Sequence, residues 1–279
     1  MATNALCIGI NNSPGTHMDL QGCVNDANDW AAALAERGFK VTKLLDDQAT
    51  KAAMVKAMSD LIGKASKGDS LVITFSGHGT YQPDADGDEV DGLDEALCPH
   101  DIQTGGGALT DDESRVIFGA RKPGVRVLFI ADSCHSGTVN RAAPSEPEAD
   151  APRPRFMPMG NWMPEDRLPR TRAGGLMTQI AVQPTRVSPF VGVLLKQQGD
   201  LLLAGCQEGP NNYSYDARIG GRYNGAFTYY ALKTLKTLPA TASYADWHAA
   251  IRAYLPSSSY PQAPQMVGNS AARKRKILA

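Results

Sequence analysis

The chain has 279 residues, 42% of them hydrophobic and 20% charged, which is enough apolar material for one domain with a sizeable core. Its 28 Lys and Arg against 29 Asp and Glu give a formal net charge of -1, which argues against nucleic acid or an anionic membrane as partner. The longest apolar runs fall far below the ~18 residues that cross a bilayer, and no basic, apolar leader opens the sequence, so the expected location is cytoplasmic.

Ala5 to Ile10 reads as a buried strand ending in the turn residues Asn11 to Gly15. Val24, Ala27, Trp30, Ala31 and Leu34 recur at helical spacing, predicting a helix over Val24 to Arg37 that Gly38 stops. Phe39 to Leu45 is a second strand, Thr50 to Lys64 a second helix, and Leu71 to Phe75 a third strand. A short helix is expected around Asp112 to Phe118, then strands over Val125 to Ala131 and Asp200 to Gly205. Helices follow at Gly225 to Leu235 and Tyr244 to Tyr254, and Arg273 to Lys276 is expected to be a solvated tail. Alternating strands and helices imply an α/β fold, a mostly parallel central sheet with helices on both faces.

Residues Asn140 to Pro189 hold half of the 18 prolines and seven arginines, a composition that resists regular structure. The organisation expected is a first half over 1–139, a Pro/Arg-rich linker over 140–190, and a second half of the same domain over 191–279.

In parallel sheets reactive groups collect beyond the carboxyl ends of the strands. Two such ends hold His78, between Gly77 and Gly79, and Cys134, in Asp132-Ser-Cys-His-Ser-Gly137. A thiol nucleophile with an imidazole to exchange its proton is the minimum for a cysteine peptidase, and the 56-residue interval fits caspase-type order. Cys134 should present its sulfur at the crevice mouth, with the amides of Gly79 and Cys134 as oxyanion donors. Taken singly, Cys134 reads as a core filler and His78 as a satisfied loop histidine. The five cysteines (Cys7, Cys23, Cys98, Cys134, Cys206) lack CxxC pairs and read as reduced.

Gly22-Cys-Val-Asn-Asp-Ala27, Phe75-Ser-Gly-His-Gly-Thr80, Gly87 to Glu95, Leu109-Thr-Asp-Asp-Glu113 and Asp132 to Gly137 resemble successive motifs of metacaspases and their bacterial relatives, the orthocaspases. The likeness runs from about Leu6 to Gly137 and resumes at Leu201 to Gln207 and Gly225-Ala-Phe-Thr228. It implies a caspase-like sandwich, a Cys134/His78 dyad, and cleavage of polypeptides after Arg or Lys. By motif position Asp26 and Asp132 become the carboxylates of the P1 pocket, with Cys23 and Ser76 lining it. Read from the residues alone, Asp26 is a solvated position on the first helix and Asp132 a turn cap before Cys134.

The resemblance also implies calcium ligands at Asp94, Asp111 and Asp112. However, the family's set includes an acidic residue shortly after the cysteine motif, where this chain has Val139-Asn140-Arg141. No cofactor is required on this reading, calcium stays open, and an acidic solvated rim stands beside it. A basic-specific pocket gives the linker a meaning: Arg153, Arg155, Arg167, Arg170 and Arg172 become candidate sites of self-cleavage, because exposed segments are what proteases cut. Family relatives imply a monomer. The rivals are a silent caspase-fold scaffold and a nucleotide-binding protein; the latter lacks its glycine-rich phosphate loop, since Asn11 to Gly15 fits neither pattern.

Overall fold

Five predicted strands form the parallel part of one sheet: β1 (Thr3–Gly9), β2 (Lys40–Leu45), β3 (Ser70–Ser76), β7 (Arg126–Asp132) and β9 (Leu201–Ala204). The structure is a computed structural model that describes residues 1–84, 92–134, 150–170, 200–206 and 213–279. The sheet order is β12-β9-β7-β3-β1-β2, in which β12 (Gln265–Val267) adds an antiparallel edge. Three residues are too few for a periodicity to announce, and β12 was not expected.

Strand alternation sends Leu6, Ile8, Ile73, Phe75, Val127 and Phe129 to one face, where Met54, Met58 and Ile62 of α2 (Lys51–Lys64) and Ile117 and Phe118 of α3 (Asp111–Gly119) cover them. Ala5, Cys7, Val72, Leu128, Ile130 and Leu203 face the other way. Over them lie α1 (Cys23–Ala35), α4 (Ala226–Thr237) and α5 (Tyr244–Arg252). Trp30 of α1 meets Trp247 of α5 edge to face at 6.0 Å, which locks these helices together across the chain. The result is the three-layer caspase-like α/β arrangement expected.

Two small antiparallel sheets were not expected. One joins β4 (Gly79–Pro83), β5 (Leu93–Leu97) and β6 (Leu109–Thr110); the other joins β8 (Arg153–Pro154), β10 (Tyr215–Ile219) and β11 (Arg222–Gly225). Their strands are short and rich in polar residues, so their apolar periodicity is weak.

Two expectations need correction. Residues 150–170 of the linker do not float: Arg155, Phe156, Met157, Met159, Trp162 and Leu168 are buried, because they find apolar and charged partners around the end of β3. The basic C-terminus is not a solvated tail either. A short helix α6 (Ser270–Arg273) buries Ala272, Ile277 donates its amide to the Ala242 carbonyl, and Leu278 is buried among the residues under α4 and α5.

Candidate active site

β3 and β7 run side by side with Ser76 opposite Asp132, so His78 and Cys134 each stand two residues beyond a matched pair of strand ends. Sheet register alone therefore delivers both side chains to one end of the sheet.

His78 is buried, with Nε2 2.5 Å from the Met18 carbonyl oxygen; among the described residues Nδ1 has no hydrogen-bond partner. A carbonyl accepts only, so Nε2 carries the ring proton and Nδ1 the lone pair. Burial, together with the repulsion of Arg155, lowers the His78 pKa to about 4 against the pull of the Met18 carbonyl. The imidazole is therefore neutral near pH 7. Among the described residues a backbone carbonyl, and no third side chain, orients it.

Cys134 is buried rather than open at a crevice mouth, because the linker crosses above it. Its Sγ accepts from the Ser214 amide at 2.9 Å and lies 2.7 Å from Cys206 Sγ. No disulfide forms among the described residues, which include all five cysteines.

The linker residue that covers the site is Arg155. Its carbonyl oxygen accepts from the amides of Gly79 at 3.0 Å and Cys134 at 3.1 Å, the two donors predicted from sequence. Its own amide donates to the Ser214 carbonyl at 2.8 Å. Its guanidinium enters a pocket walled by three carboxylates: Nη2 lies 2.7 Å from Asp26 and 2.9 Å from Asp216, and Nη1 3.2 Å from Asp132. All four side chains are at most 1% exposed, so each charge depends on its partners for the solvation it has lost.

Local sequence fixes each wall of this pocket. Asn11 Oδ1 accepts from the amides of Cys23 and Val24, which caps α1 from outside and turns Asp26 inward. Asp26 also accepts from the Gly225 amide and Asn224 Nδ2. Asp132 takes hydrogen bonds from the Thr228 amide at 3.0 Å, Thr228 Oγ1 at 2.7 Å and the Ser214 hydroxyl. The first of these comes from the N-terminal turn of α4, whose dipole favours a carboxylate. Burial, opposed by Arg155 and aided by Asp132, raises the Asp26 pKa to about 7.

Cys23 is buried beside this cluster, and burial pushes its thiol well up. Ser76 is buried opposite Asp132 but, among the described residues, makes no hydrogen bond to Arg155. Asp216 is the wall residue that the sequence reading did not single out. It follows Tyr215 on a strand too short and polar to register as one, so nothing local marked it.

The other predicted residues lie elsewhere. Asp94 and Asp112 line a cavity of about 600 Å³ between the β4–β5 ribbon and the start of α3, with Asp111 buried next to Asp112. Arg115 pairs with Asp112, and among the described residues no three His, Cys, Asp or Glu side chains gather as a metal site. The described residues thus form no calcium cage; 85–91 lie outside them. Arg153 donates to the Asp19 carbonyl, Arg167 and Arg170 are exposed, and Arg172 and His135 lie outside the described residues.

A caspase-like α/β sandwich with a thiol, an imidazole and an acid-lined pocket at one end of its sheet defines a class of protein, and comparison with known proteins gives the family. The metacaspase, peptidase C14 domain family matches residues 3–142. Metacaspase-1B of Aspergillus fumigatus is 32% identical across 94% of this chain and 68% of its own length. Metacaspase-1A of the same species is 31% identical across 94% and 67%, and Metacaspase-1B of Aspergillus oryzae 44% identical across 48% and 34%. The chain thus spans from about a third to about two thirds of these relatives. The crystal structure of protein GSU0716 from Geobacter sulfurreducens superposes with a TM-score of 0.71 at 29% identity, over 100% of this chain and 99% of that one. The chain belongs to the metacaspase family of peptidase C14, a family of cysteine peptidases.

Proposed function

We propose that this chain is a cysteine endopeptidase that cleaves after arginine or lysine, with Cys134 as nucleophile and His78 as proton carrier, and that it cuts its own Arg155–Phe156 bond. The observation that carries this reading is the pose of Arg155: its carbonyl oxygen is held by two amides, one of them that of Cys134, while its guanidinium fills a pocket of three carboxylates. A backbone carbonyl polarised by two N–H groups and anchored by its own side chain is a substrate held for acyl transfer.

In the first half-reaction His78 Nδ1 takes the Cys134 proton as the sulfur attacks the Arg155 carbonyl carbon. The oxyanion that forms is held by the Gly79 and Cys134 amides. Collapse breaks the C–N bond, His78 returns the proton to the Phe156 nitrogen, and the Arg155 thioester remains. Water, deprotonated by His78, then hydrolyses the thioester to the Arg155 carboxylate and restores the thiol. The neutral imidazole, with its lone pair on Nδ1, is the form this cycle needs at its start.

Specificity follows from charge. A lysine or arginine entering a dry pocket between Asp26, Asp132 and Asp216 is paired on arrival, whereas an aspartate would add a fourth buried negative charge. On this reading 1–139 and 191–279 are two halves of one domain joined by the linker, and the protein acts as a cytoplasmic monomer on polypeptides without a required cofactor. Chelator added to the peptide assays should therefore leave the rates unchanged.

The test is intact mass of wild type and Cys134→Ala after incubation, with fluorogenic peptides ending in Arg, Lys and Asp. The expected result is two fragments, 1–155 and 156–279, from wild type only, and release from the Arg and Lys peptides alone. An intact wild type that cuts no basic peptide would overturn the reading in favour of the silent scaffold.

A further inference from the structure

Beyond Arg155 the linker pairs with β4 through one parallel bridge. The Met157 amide donates to the Gly79 carbonyl at 2.9 Å, and the Gly79 amide donates to the Arg155 carbonyl, so Phe156 is bridged in parallel to Gly79 at the free edge of β4. Thr80 Oγ1 then donates to the Met157 carbonyl at 2.7 Å. Successive side chains of an extended strand point to opposite sides. Phe156 turns to one side of the β4–β5–β6 ribbon and Met157 to the other. Phe156 stacks on Tyr81, centroids 5.6 Å apart and planes 29° from parallel, beside Leu93. Met157 packs against Ala96, Cys98, Ile102 and Ala108. Tyr81, Leu93 and Ala96 belong to β4 and β5, so the ribbon supplies a wall of each apolar pocket, while the linker's own Met159 and Leu168 complete the first and its Trp162 the second.

We propose that the ribbon forms two substrate subsites that read the leaving side of the scissile bond, an aromatic-accepting one on Tyr81 and Leu93 for the first residue after the cut, and an aliphatic-accepting one on Ala96, Ile102 and Ala108 for the second. The preferred substrate is then a polypeptide in which a basic residue is followed by two large apolar ones. This rests on the reading of Arg155 as the residue before the cut and deepens it. The physical reason is twofold. Backbone pairing to Gly79 holds any extended chain in register, and side-chain burial on alternate faces discriminates among them. A carboxylate at either position would be stripped of water against an apolar wall with no cation offered by these residues.

The test uses internally quenched peptides with the chain's own sequence from Ala151 to Gly160, cut by the wild-type protein, and versions carrying Asp in place of the Phe, of the Met, or of both. Arg stays before the cut in all four. The expected result is cleavage of the parent at the Arg–Phe bond and a fall in kcat/KM of at least about tenfold for each single replacement. Equal rates for all four would overturn the two subsites while leaving cleavage after arginine intact. Cleavage of none of them by a protein that severs its own Arg155–Phe156 bond would also overturn the subsites, since they would then recognise only a tethered strap. Failure to cut both the peptides and its own chain would overturn the reading of Arg155, and this inference with it.

Discussion

Arg155 and Asp216 stand 61 positions apart and meet at 2.9 Å, guanidinium to carboxylate, both fully buried. Asp216 also accepts from the amides of Gln21 and Gly22, so one carboxylate ties the entry to α1, the strand β10 and the cation together. Asp216→Asn keeps the shape, removes the charge and turns an NH2 toward amide donors. Charge-assisted hydrogen bonds contribute about 1.5–3 kcal/mol, so kcat/KM for arginine peptides should fall about 10- to 100-fold, carried mainly by KM. Steady-state kinetics of the variant checks this; unchanged constants would remove Asp216 from the pocket.

Arg155 itself is predicted to stabilise the uncut protein. In Arg155→Ala three carboxylates lose their cation, and breaking a buried ion cluster from one side costs about 3–5 kcal/mol. Measured in the Cys134→Ala background, where no chain is cut, denaturant unfolding should show a loss of that order. In the active protein Arg155→Ala should leave the bond to Phe156 intact, and Arg155→Lys should restore its cleavage at a reduced rate, because an ammonium cannot reach three carboxylates with a planar fork. Cleavage of the Arg155→Ala chain at the same bond would contradict the pocket.

The central sheet was legible because its inner strands are apolar on both faces and its helices carry one apolar stripe, two patterns that survive in a linear string. Cys134, His78, Asp26 and Asp132 were legible through motifs, since each sits at or near an element end where neighbours in sequence are neighbours in space. Asp216 and the two ribbon sheets were not, because their meaning arises only from cross-chain pairing. The linker misled through composition. Proline and arginine argue for a solvated segment, yet Arg153-Pro154-Arg155 is extended by its proline and docks as a strand against β10, where its charge finds three partners.

Two titrations of opposite sign should appear in the stability of the uncut Cys134→Ala protein. Burial keeps His78 neutral down to about pH 4, whereas unfolded histidine takes a proton near 6.5. The unfolded state therefore binds more protons in that window, and this contribution, full above pH 6.5, is lost as pH falls toward 4. Asp26 runs the other way. Its folded carboxyl holds a proton until about pH 7 and its unfolded one until about 3.8, so its contribution is complete below 3.8 and is lost as pH rises through 7. Adding His78→Gln removes the first titration and keeps the second. Relative to the parent, this double variant should gain on the order of 3 kcal/mol between pH 6.5 and pH 4. Parallel stability curves would mean that His78 is not buried as a neutral ring.

The depth of the pocket depends on one missing carbon. Gly225 closes β11 with φ -67° and ψ 132°, a conformation open to any residue, so its backbone alone does not demand glycine. The demand comes from space: a Cβ there would press on Asp132 Oδ2 and lie 2.5 Å from Arg155 Nη1. Gly225→Ala should fold, since the pocket floor is polar and the helix behind it is unchanged, while its methyl group takes the place of the guanidinium. Arginine should then be excluded first, and the slimmer lysine less severely, because an ammonium ends in a smaller group than a planar fork. The Arg-to-Lys preference, measured as a ratio of kcat/KM on matched peptides, should fall by about tenfold or more, corresponding to a clash of at least about 1.4 kcal/mol. Intact mass should show the Arg155–Phe156 bond persisting in the same variant. A Gly225→Ala enzyme that kept both its arginine preference and its self-cleavage would place the cation somewhere other than between Asp26, Asp132 and Asp216 during turnover.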